Sequence, residues 1–159
     1  MNKILELLEK NSTLTVADIA VMLDKSEEEI SAAIEQFKKD GIILGSKMLV
    51  NWQKTTREYV TAFIELKVTP QFGKGFDQIA ERFYQYEQVK TVYLMSGAYD
   101  IALIIEGKTL NEVALFVAEQ LSPMDTVIST ATHFVLKKYK DDGMIFYNDE
   151  EDSRQVITL

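Results

Sequence analysis

The sequence predicts an α+β protein in two parts, three short helices followed by a four-stranded βαββαβ unit. Three observations carry this prediction. Apolar residues recur at helical spacing over the first part of the chain. From Tyr59 onward the apolar pattern changes to strand-like alternation. Two short apolar runs, 92–95 and 101–105, then flank a five-residue connection that contains a glycine.

The composition bounds the class of protein. The chain has 159 residues, no Cys and a formal net charge of −8. No apolar run approaches the ~20 residues of a membrane span, and no signal peptide opens the chain. We therefore expect a cytoplasmic protein without disulfides or a membrane span. The acidic balance argues against broad attraction to nucleic acid, although it leaves room for a local docking surface.

The first part reads as three helices joined by short turns. An amphipathic pattern over 2–11 predicts the first helix. Thr15 with Asp18, and Ser26 with Glu29, have the spacing of capping boxes that open the second and third helices. The tight turn between those two helices fits a helix-turn-helix, and a generic three-helix bundle is the alternative.

A domain boundary is expected near residue 50. Residues 42–50 are expected to form a small hairpin, a wing, around Gly45, which completes a helix-turn-helix domain at 1–50. The polar stretch 51–58 reads as a linker with Trp52 as its one large apolar anchor.

The second part, 59–138, has the element order of a ferredoxin-like βαββαβ domain, with both helices on one face of the sheet. Thr109 is the expected cap of its second helix, and Pro123 its stop. In order, the predicted elements are a strand at 59–69, a helix at 75–86, strands at 88–95 and 100–106, a helix at 110–121 and a strand at 126–138.

The sheet face away from the helices is too apolar to be left in water. A second sheet is the simplest cover, so we expect a homodimer packed sheet on sheet. The alternative is that the N-terminal helices fold over this face. Its residues are Phe63, Tyr93, Ala102, Ile104, Ala131 and Val135.

The last stretch, 139–159, changes character again. It contains a turn at 141–143, a strand-like piece at 144–147, an acidic run at 148–152 and a second strand-like piece at 155–158. A chain end of this kind can pair with the edge of a sheet, so the tail is a candidate for strand exchange with a partner.

The connection at 96–100 concentrates polar groups between two buried strands. Its backbone N–H groups are freed from the strand ladder, and Gly97 suits a positive φ. Ser96, Tyr99 and Asp100 add a hydroxyl, an aromatic ring and a carboxylate. A small zwitterion could place its carboxylate on the N–H groups and its amine on Asp100. The alternative is an ordinary hairpin whose Asp100 accepts backbone hydrogen bonds.

No pattern in the sequence predicts an enzyme or a metal site. His133 is the only histidine and reads as a sheet-face residue, and a transition-metal cluster is not expected without Cys. Gly73 and Gly75 resemble the start of a dinucleotide fingerprint, but Gln78 stands where its third glycine is needed. Asp100 has no nucleophile or paired carboxylate beside it. We expect no catalytic residue, metal or cofactor.

With this order of elements, the chain resembles the Lrp/AsnC family of bacterial and archaeal transcription regulators over nearly its whole length. The third helix ending in Asp40-Gly41-Ile42-Ile43, the Gly-x-Tyr-Asp loop at 97–100 and the stretches 89–92 and 130–137 carry the resemblance. It implies dimers formed through the sheets, commonly assembled into octamers, that bind double-stranded DNA.

The resemblance also implies an effector, usually an amino acid, bound at the contacts between dimers around the loop. The residues at the matching positions are Met95, Ser96, Gly97, Ala98, Tyr99 and Asp100, with Thr130 and Thr132 on the last strand.

The third helix departs from the family pattern. Ala33 stands where the family normally has an Arg, and five acids face two bases across 26–40. Base readout favours Arg, Lys, Asn and Gln, supported by phosphate contacts. The candidate DNA contacts are Lys25, Ser26, Ser31, Gln36, Lys38, Lys39 and Lys47.

Two functions of different classes therefore stay open. One is a ligand-responsive, DNA-binding transcriptional regulator. The other is an oligomeric amino-acid sensor that acts through protein contacts, with weak or lost DNA binding.

Overall fold

The computed structural model describes residues 2–70 and 75–146. The chain divides into two compact units, one that ends at Val50 and one that begins at Asn51. The acidic run predicted at 148–152 and the strand-like piece at 155–158 lie outside the described residues.

The first unit contains three helices, α1 (Asn2–Lys10), α2 (Val16–Leu23) and α3 (Glu27–Lys39). Asp24 adopts a left-handed conformation, with φ of 51°, and ends α2, so that the chain turns sharply into α3. The buried residues that hold these helices together are Ile4, Ile19, Ala20, Ile30 and Phe37.

The capping signals open the helices much as predicted. The Thr15 hydroxyl accepts the Asp18 N–H at 3.1 Å, and the Asp18 carboxylate accepts the Thr15 N–H at 2.9 Å, which confirms the first capping box. The Ser26 hydroxyl accepts the Glu29 N–H at 3.2 Å. The reciprocal bond of the second box does not form among the described residues, because the Glu29 carboxylate meets the Lys25 amine at 3.4 Å instead.

The wing expected at 42–50 is wrong for this structure, because no strand pair forms over those residues. The N–H groups of Ile42 and Ile43 both turn back to the Phe37 carbonyl, at 2.9 and 3.1 Å. Further on, Leu44 is 92% exposed. Ile43 packs against the helices, but Leu44, Met48 and Leu49 remain exposed. A single two-stranded hairpin is marginal in water, and here it would bury little apolar surface.

The second unit is a four-stranded antiparallel sheet with two helices on one face. The strands follow the order β2-β3-β1-β4, which confirms the ferredoxin-like topology. Its elements are β1 (Val60–Val68), α4 (Asp77–Tyr84), β2 (Val89–Leu94), β3 (Ile101–Gly107), α5 (Leu110–Phe116) and β4 (Val127–Phe134).

The core of this unit lies between the sheet and the helices. α5 continues through a π-helical turn, Val117–Leu121, which keeps Leu121 buried. Gly107 lies so close to α5 that a Cβ there would come within 2.9 Å of the Val113 side chain. The central strands contribute Ala62, Ile64, Leu66, Ile101, Leu103 and Ile105, and the helices contribute Ile79, Phe83, Val113 and Phe116.

The segments outside the sheet are also partly ordered. Within the predicted linker, Trp52–Lys54 forms a 3₁₀ turn, and the Arg57 guanidinium lies 4.3 Å from the centre of the Trp52 ring. After β4, strands β5 (Lys140–Asp141) and β6 (Met144–Ile145) form a small hairpin around the turn predicted at 141–143. Exchange of this tail with a partner stays a prediction.

Candidate functional site

The helix-turn-helix of the first unit presents α3 on its surface, but several of its candidate DNA contacts are already engaged. The Lys38 amine meets the Glu35 carboxylate at 2.8 Å, and this hydrogen bond lowers the pKa of Glu35. The Gln36 amide donates to the Asp40 carboxylate at 2.7 Å. With Lys25 paired to Glu29 and Ser26 acting as the helix cap, four of the seven candidates have partners within the unit.

Ser31, Lys39 and Lys47 are the remaining candidates, and all three are exposed. The amino end of α3 carries three consecutive glutamates, which suit the helix dipole but oppose the approach of phosphates. The basic residues lie at its far end, Lys38 and Lys39, so any attraction to the DNA backbone is stronger there.

The loop between β2 and β3 is held by backbone contacts at its base. The Met95 N–H donates to the Asp100 carbonyl at 2.8 Å, and the Asp100 N–H donates to the Leu66 carbonyl at 2.9 Å. The Asp100 carboxylate accepts the Val68 N–H at 2.9 Å, next to the register shift between Lys67 and Val68. Asp100 therefore ties the loop to β1 through one of its two carboxylate oxygens.

Above this base the loop leaves hydrogen-bonding groups unused. The N–H groups of residues 96–99 find no acceptor among the described residues. Gly97 has a φ of +145°, a conformation that side chains rarely adopt. The loop thus leaves consecutive N–H donors and the second oxygen of Asp100 without partners among the described residues, and a zwitterion carries a group that matches each of them.

Tyr99 joins the loop to the sheet face away from the helices, which we call the open face. Its ring meets the Phe63 ring edge-on at 6.1 Å, and Phe63 lies 6.2 Å from the His133 ring. His133, which the sequence placed on a sheet face, also lies 3.4 Å from the Glu65 carboxylate.

Strand register confirms that five of the six apolar residues predicted for the open face share it. Val135, one residue beyond β4, continues the pairing by donating its N–H to the Thr61 carbonyl. Phe63 pairs with Ile104 and His133, and Tyr93 pairs with Ala102 on the neighbouring strand. Tyr93 is 55% exposed, so this face remains partly uncovered within the protomer.

Thr130 and Thr132 lie on the other face of the sheet. They pair with Leu66 and Ile64 on β1, whose side chains belong to the core beneath the helices. The Thr130 hydroxyl approaches the Ser122 hydroxyl at 3.4 Å. The structure therefore brings residues 95–100 together but does not bring these threonines to the Tyr99 side of the sheet.

Comparison with known proteins decides the family. Residues 61–145 match the model described as the Lrp/AsnC ligand binding domain, and residues 2–43 match the one described as winged helix-turn-helix DNA-binding. The chain belongs to the Lrp/AsnC family.

Three Lrp/AsnC-like relatives illustrate the range of similarity. The HTH-type transcriptional regulator YugG of Bacillus subtilis is 43% identical over 98% of this chain and 95% of its own. The proline dehydrogenase transcriptional activator of Rhizobium radiobacter is 22% identical over 89% of this chain and 90% of its own. The crystal structure of the transcriptional regulator NMB0573/L-Met complex from Neisseria meningitidis matches 87% of this chain and 90% of that one, with a TM-score of 0.70 and 22% identity.

Membership of this family establishes the general function of the protein. The protein is a DNA-binding transcriptional regulator of the Lrp/AsnC type with a ligand-binding domain. This family consists of transcriptional regulators and not of enzymes. Among the described helices, none is both long and apolar enough to cross a membrane.

Sequence reasoning missed the partners of the loop. Val68 and Leu66 bind Asp100 from a strand more than thirty residues away, and Phe63 receives the Tyr99 ring. The alternation of β1 carried part of this signal, since it placed Phe63 on the open face. The pairing of β1 with the start of β3, which brings the Val68 N–H to the Asp100 carboxylate, left no mark in the local sequence.

Proposed function

We propose that this Lrp/AsnC regulator responds to a free amino acid bound at the loop between β2 and β3. The observation that carries the proposal is the set of consecutive unused N–H groups at 96–99, which lies beside the Asp100 carboxylate and the Tyr99 ring. A ligand with one carboxylate, one ammonium group and a side chain has a matching group for each of them.

The charges of the loop support a zwitterion over a simple anion. The effector carboxylate would take the N–H groups, as anions do at a run of backbone donors. Its ammonium group would take the Asp100 oxygen that the Val68 N–H leaves unused. Hydrogen bonds to a charged group contribute about 1.5–3 kcal/mol each, so the two ends together can select a zwitterion.

Two relatives are consistent with an amino-acid effector. The Neisseria meningitidis regulator is named as an L-Met complex. The Rhizobium radiobacter relative is named as an activator of proline dehydrogenase transcription.

We further propose that the protein acts as a homodimer packed through the open face, and that dimers assemble into octamers. The open face supports this arrangement because Tyr93 and Val135 are exposed apolar side chains on it. Such an assembly would carry several helix-turn-helix units. Linked units raise the effective concentration of one another on DNA, which offsets the acidic character of α3.

The test is a fluorescence-anisotropy titration of the full-length protein on a duplex from upstream of its own gene. We expect submicromolar affinity that falls steeply with salt, since several units would neutralise phosphates together. Repeating the titration with each of the common L-amino acids should identify at least one that shifts the binding curve. The absence of any shift would contradict an amino-acid effector.

The variant Asp100→Asn sharpens the test, because an Asn oxygen still accepts the Val68 N–H while the negative charge is lost. We expect it to bind DNA like the wild type and to need at least about tenfold more amino acid for the same shift. Asp142→Asn, at the turn of the β5–β6 hairpin, is the matched control. An Asp100→Asn protein with an unchanged response would show that the loop does not bind the amine.

A further inference from the structure

A cleft of about 410 Å³ runs along one side of α4 in the second unit. Gln78, Arg82 and Gln85 line it at roughly one-turn intervals, and Asp125 and Thr126 form the facing wall. The residues that line this cleft do not include the loop at 95–100, so it is a separate feature of the ligand-binding domain. Its volume lies in the range of small-molecule sites.

Arg82 brings a guanidinium group with unused donors into the cleft. One of its nitrogens donates to the Asp125 carboxylate at 2.9 Å. A guanidinium has five N–H donors, and no other acceptor for Arg82 is found among the described residues. The remaining donors form the fork that binds a carboxylate through two parallel hydrogen bonds.

Two carboxylates accompany this arginine. The hydrogen bond from Arg82 holds the pKa of Asp125 below its ordinary value, so Asp125 stays ionised. Glu81 lines the same cleft. With one positive and two negative side chains, the cleft disfavours a phosphate or a dicarboxylate, and it suits a ligand with both charges.

The wall of the cleft also contains a buried hydroxyl without a partner. Thr126 is 5% exposed, and its hydroxyl is the one buried side-chain polar atom, among the described residues, that makes no hydrogen bond. Its carbonyl is already used by the Thr69 N–H, at 2.8 Å. A buried polar group without a partner destabilises the fold, and a ligand that bonds with it removes that cost.

We propose that this cleft is a second ligand site, which binds the zwitterion of a free α-amino acid. The ligand carboxylate takes the free edge of Arg82, and its ammonium group lies between Asp125 and Glu81. The Thr126 hydroxyl, which is buried without a partner among the described residues, gains one when its side chain shifts toward the ligand. The site is independent of the loop at 95–100, so it stands or falls separately from the effector site proposed above.

The test is equilibrium dialysis of the full-length protein against each radiolabelled common L-amino acid. It compares the wild type with Arg82→Gln and Thr126→Val. We expect at least one amino acid to bind about tenfold more weakly to Arg82→Gln, and also more weakly to Thr126→Val. Arg57→Gln is the matched control, because Arg57 stacks on Trp52 outside the cleft. Thermal unfolding of each variant verifies that the fold is intact.

Asp100→Asn separates the two sites in the same experiment. Binding that falls in Arg82→Gln and persists in Asp100→Asn supports the cleft. Binding that falls only in Asp100→Asn belongs to the loop and overturns the proposal. The proposal is equally overturned when no amino acid binds, or when each one binds Arg82→Gln as tightly as the wild type.

Discussion

Gly97 shows how one residue can set the shape of a binding loop. No heavy atom lies within 4 Å of the place where its Cβ would be, so space does not require a glycine there. The requirement comes from its φ of +145°, which a residue with a side chain adopts only under strain. Any other residue at position 97 would therefore strain the loop and lower the stability of the second unit.

We expect Gly97→Ala to lower the free energy of unfolding by about 1–2 kcal/mol, because alanine cannot relax into this backbone conformation without strain. Urea denaturation followed by circular dichroism measures the change. Gly45→Ala is the matched control, since Gly45 has no positive φ and is also surrounded by open space. Equal losses in the two variants would show that strain at Gly97 is not the cause.

The sequence predicted which residues of the loop carry polar groups, but it did not predict their hydrogen-bond partners. Ser96, Tyr99 and Asp100 stand out as residue types, and both readings of Asp100 began from them. The carboxylate oxygen that accepts the Val68 N–H fits the hairpin reading, and the other oxygen stays available to an amine. This division depends on Val68, which reaches Asp100 because β1 pairs with β3 in the register that sets Leu66 opposite Ile101. The local sequence does not encode this pairing, because the two residues are more than thirty positions apart in the chain.

At the scale of elements, helix starts were predictable wherever a hydroxyl and an acid stand three residues apart. Thr15 with Asp18 forms the full box. At α5 the Thr109 hydroxyl accepts the Glu112 N–H as expected, while the Glu112 carboxylate takes the Lys108 N–H, one residue earlier. The prediction of the wing was wrong because a strand pair, unlike a helix cap, depends on packing against a core that the local sequence does not describe.

The α2 capping box should make stability depend on pH. The hydrogen bonds from the Thr15 hydroxyl and N–H lower the pKa of Asp18 from its ordinary 3.8. A carboxyl group with a lowered folded-state pKa contributes stability above its unfolded pKa and loses it as the pH falls through the folded value. Asp18→Asn should therefore unfold at lower urea than the wild type near neutral pH, with the difference shrinking below pH 3.8.

Urea midpoints measured by circular dichroism across this pH range test the capping-box prediction. Glu9→Gln, on the exposed side of α1, is the control that loses a carboxylate without losing a cap. A difference between Asp18→Asn and the wild type that stays constant with pH would mean that ionised Asp18 does not stabilise α2.

At the scale of the whole molecule, the acidic charge of the first unit and the uncovered open face both favour an assembly of several copies. The unit that contains the helix-turn-helix has nine acidic and six basic residues up to Val50, so we expect a single copy to have little attraction for DNA. The open face provides a way to join copies, because it leaves Tyr93, Val135 and part of Phe63 without cover in one protomer. We therefore propose that assembly through the sheet and binding to DNA are coupled.

Tyr93→Glu tests this coupling without disturbing the core, because Tyr93 is already 55% exposed in the protomer. A charge buried between two sheets has no partner and is costly, so we expect the variant to dissociate to monomers in sedimentation velocity. DNA affinity should fall with it, since separated units lose their effective concentration. The matched control is Tyr84→Glu on α4, where the tyrosine is 60% exposed on the helix side. An assembly that survives Tyr93→Glu, or one that Tyr84→Glu disrupts equally, would show that the open face is not the dimer interface.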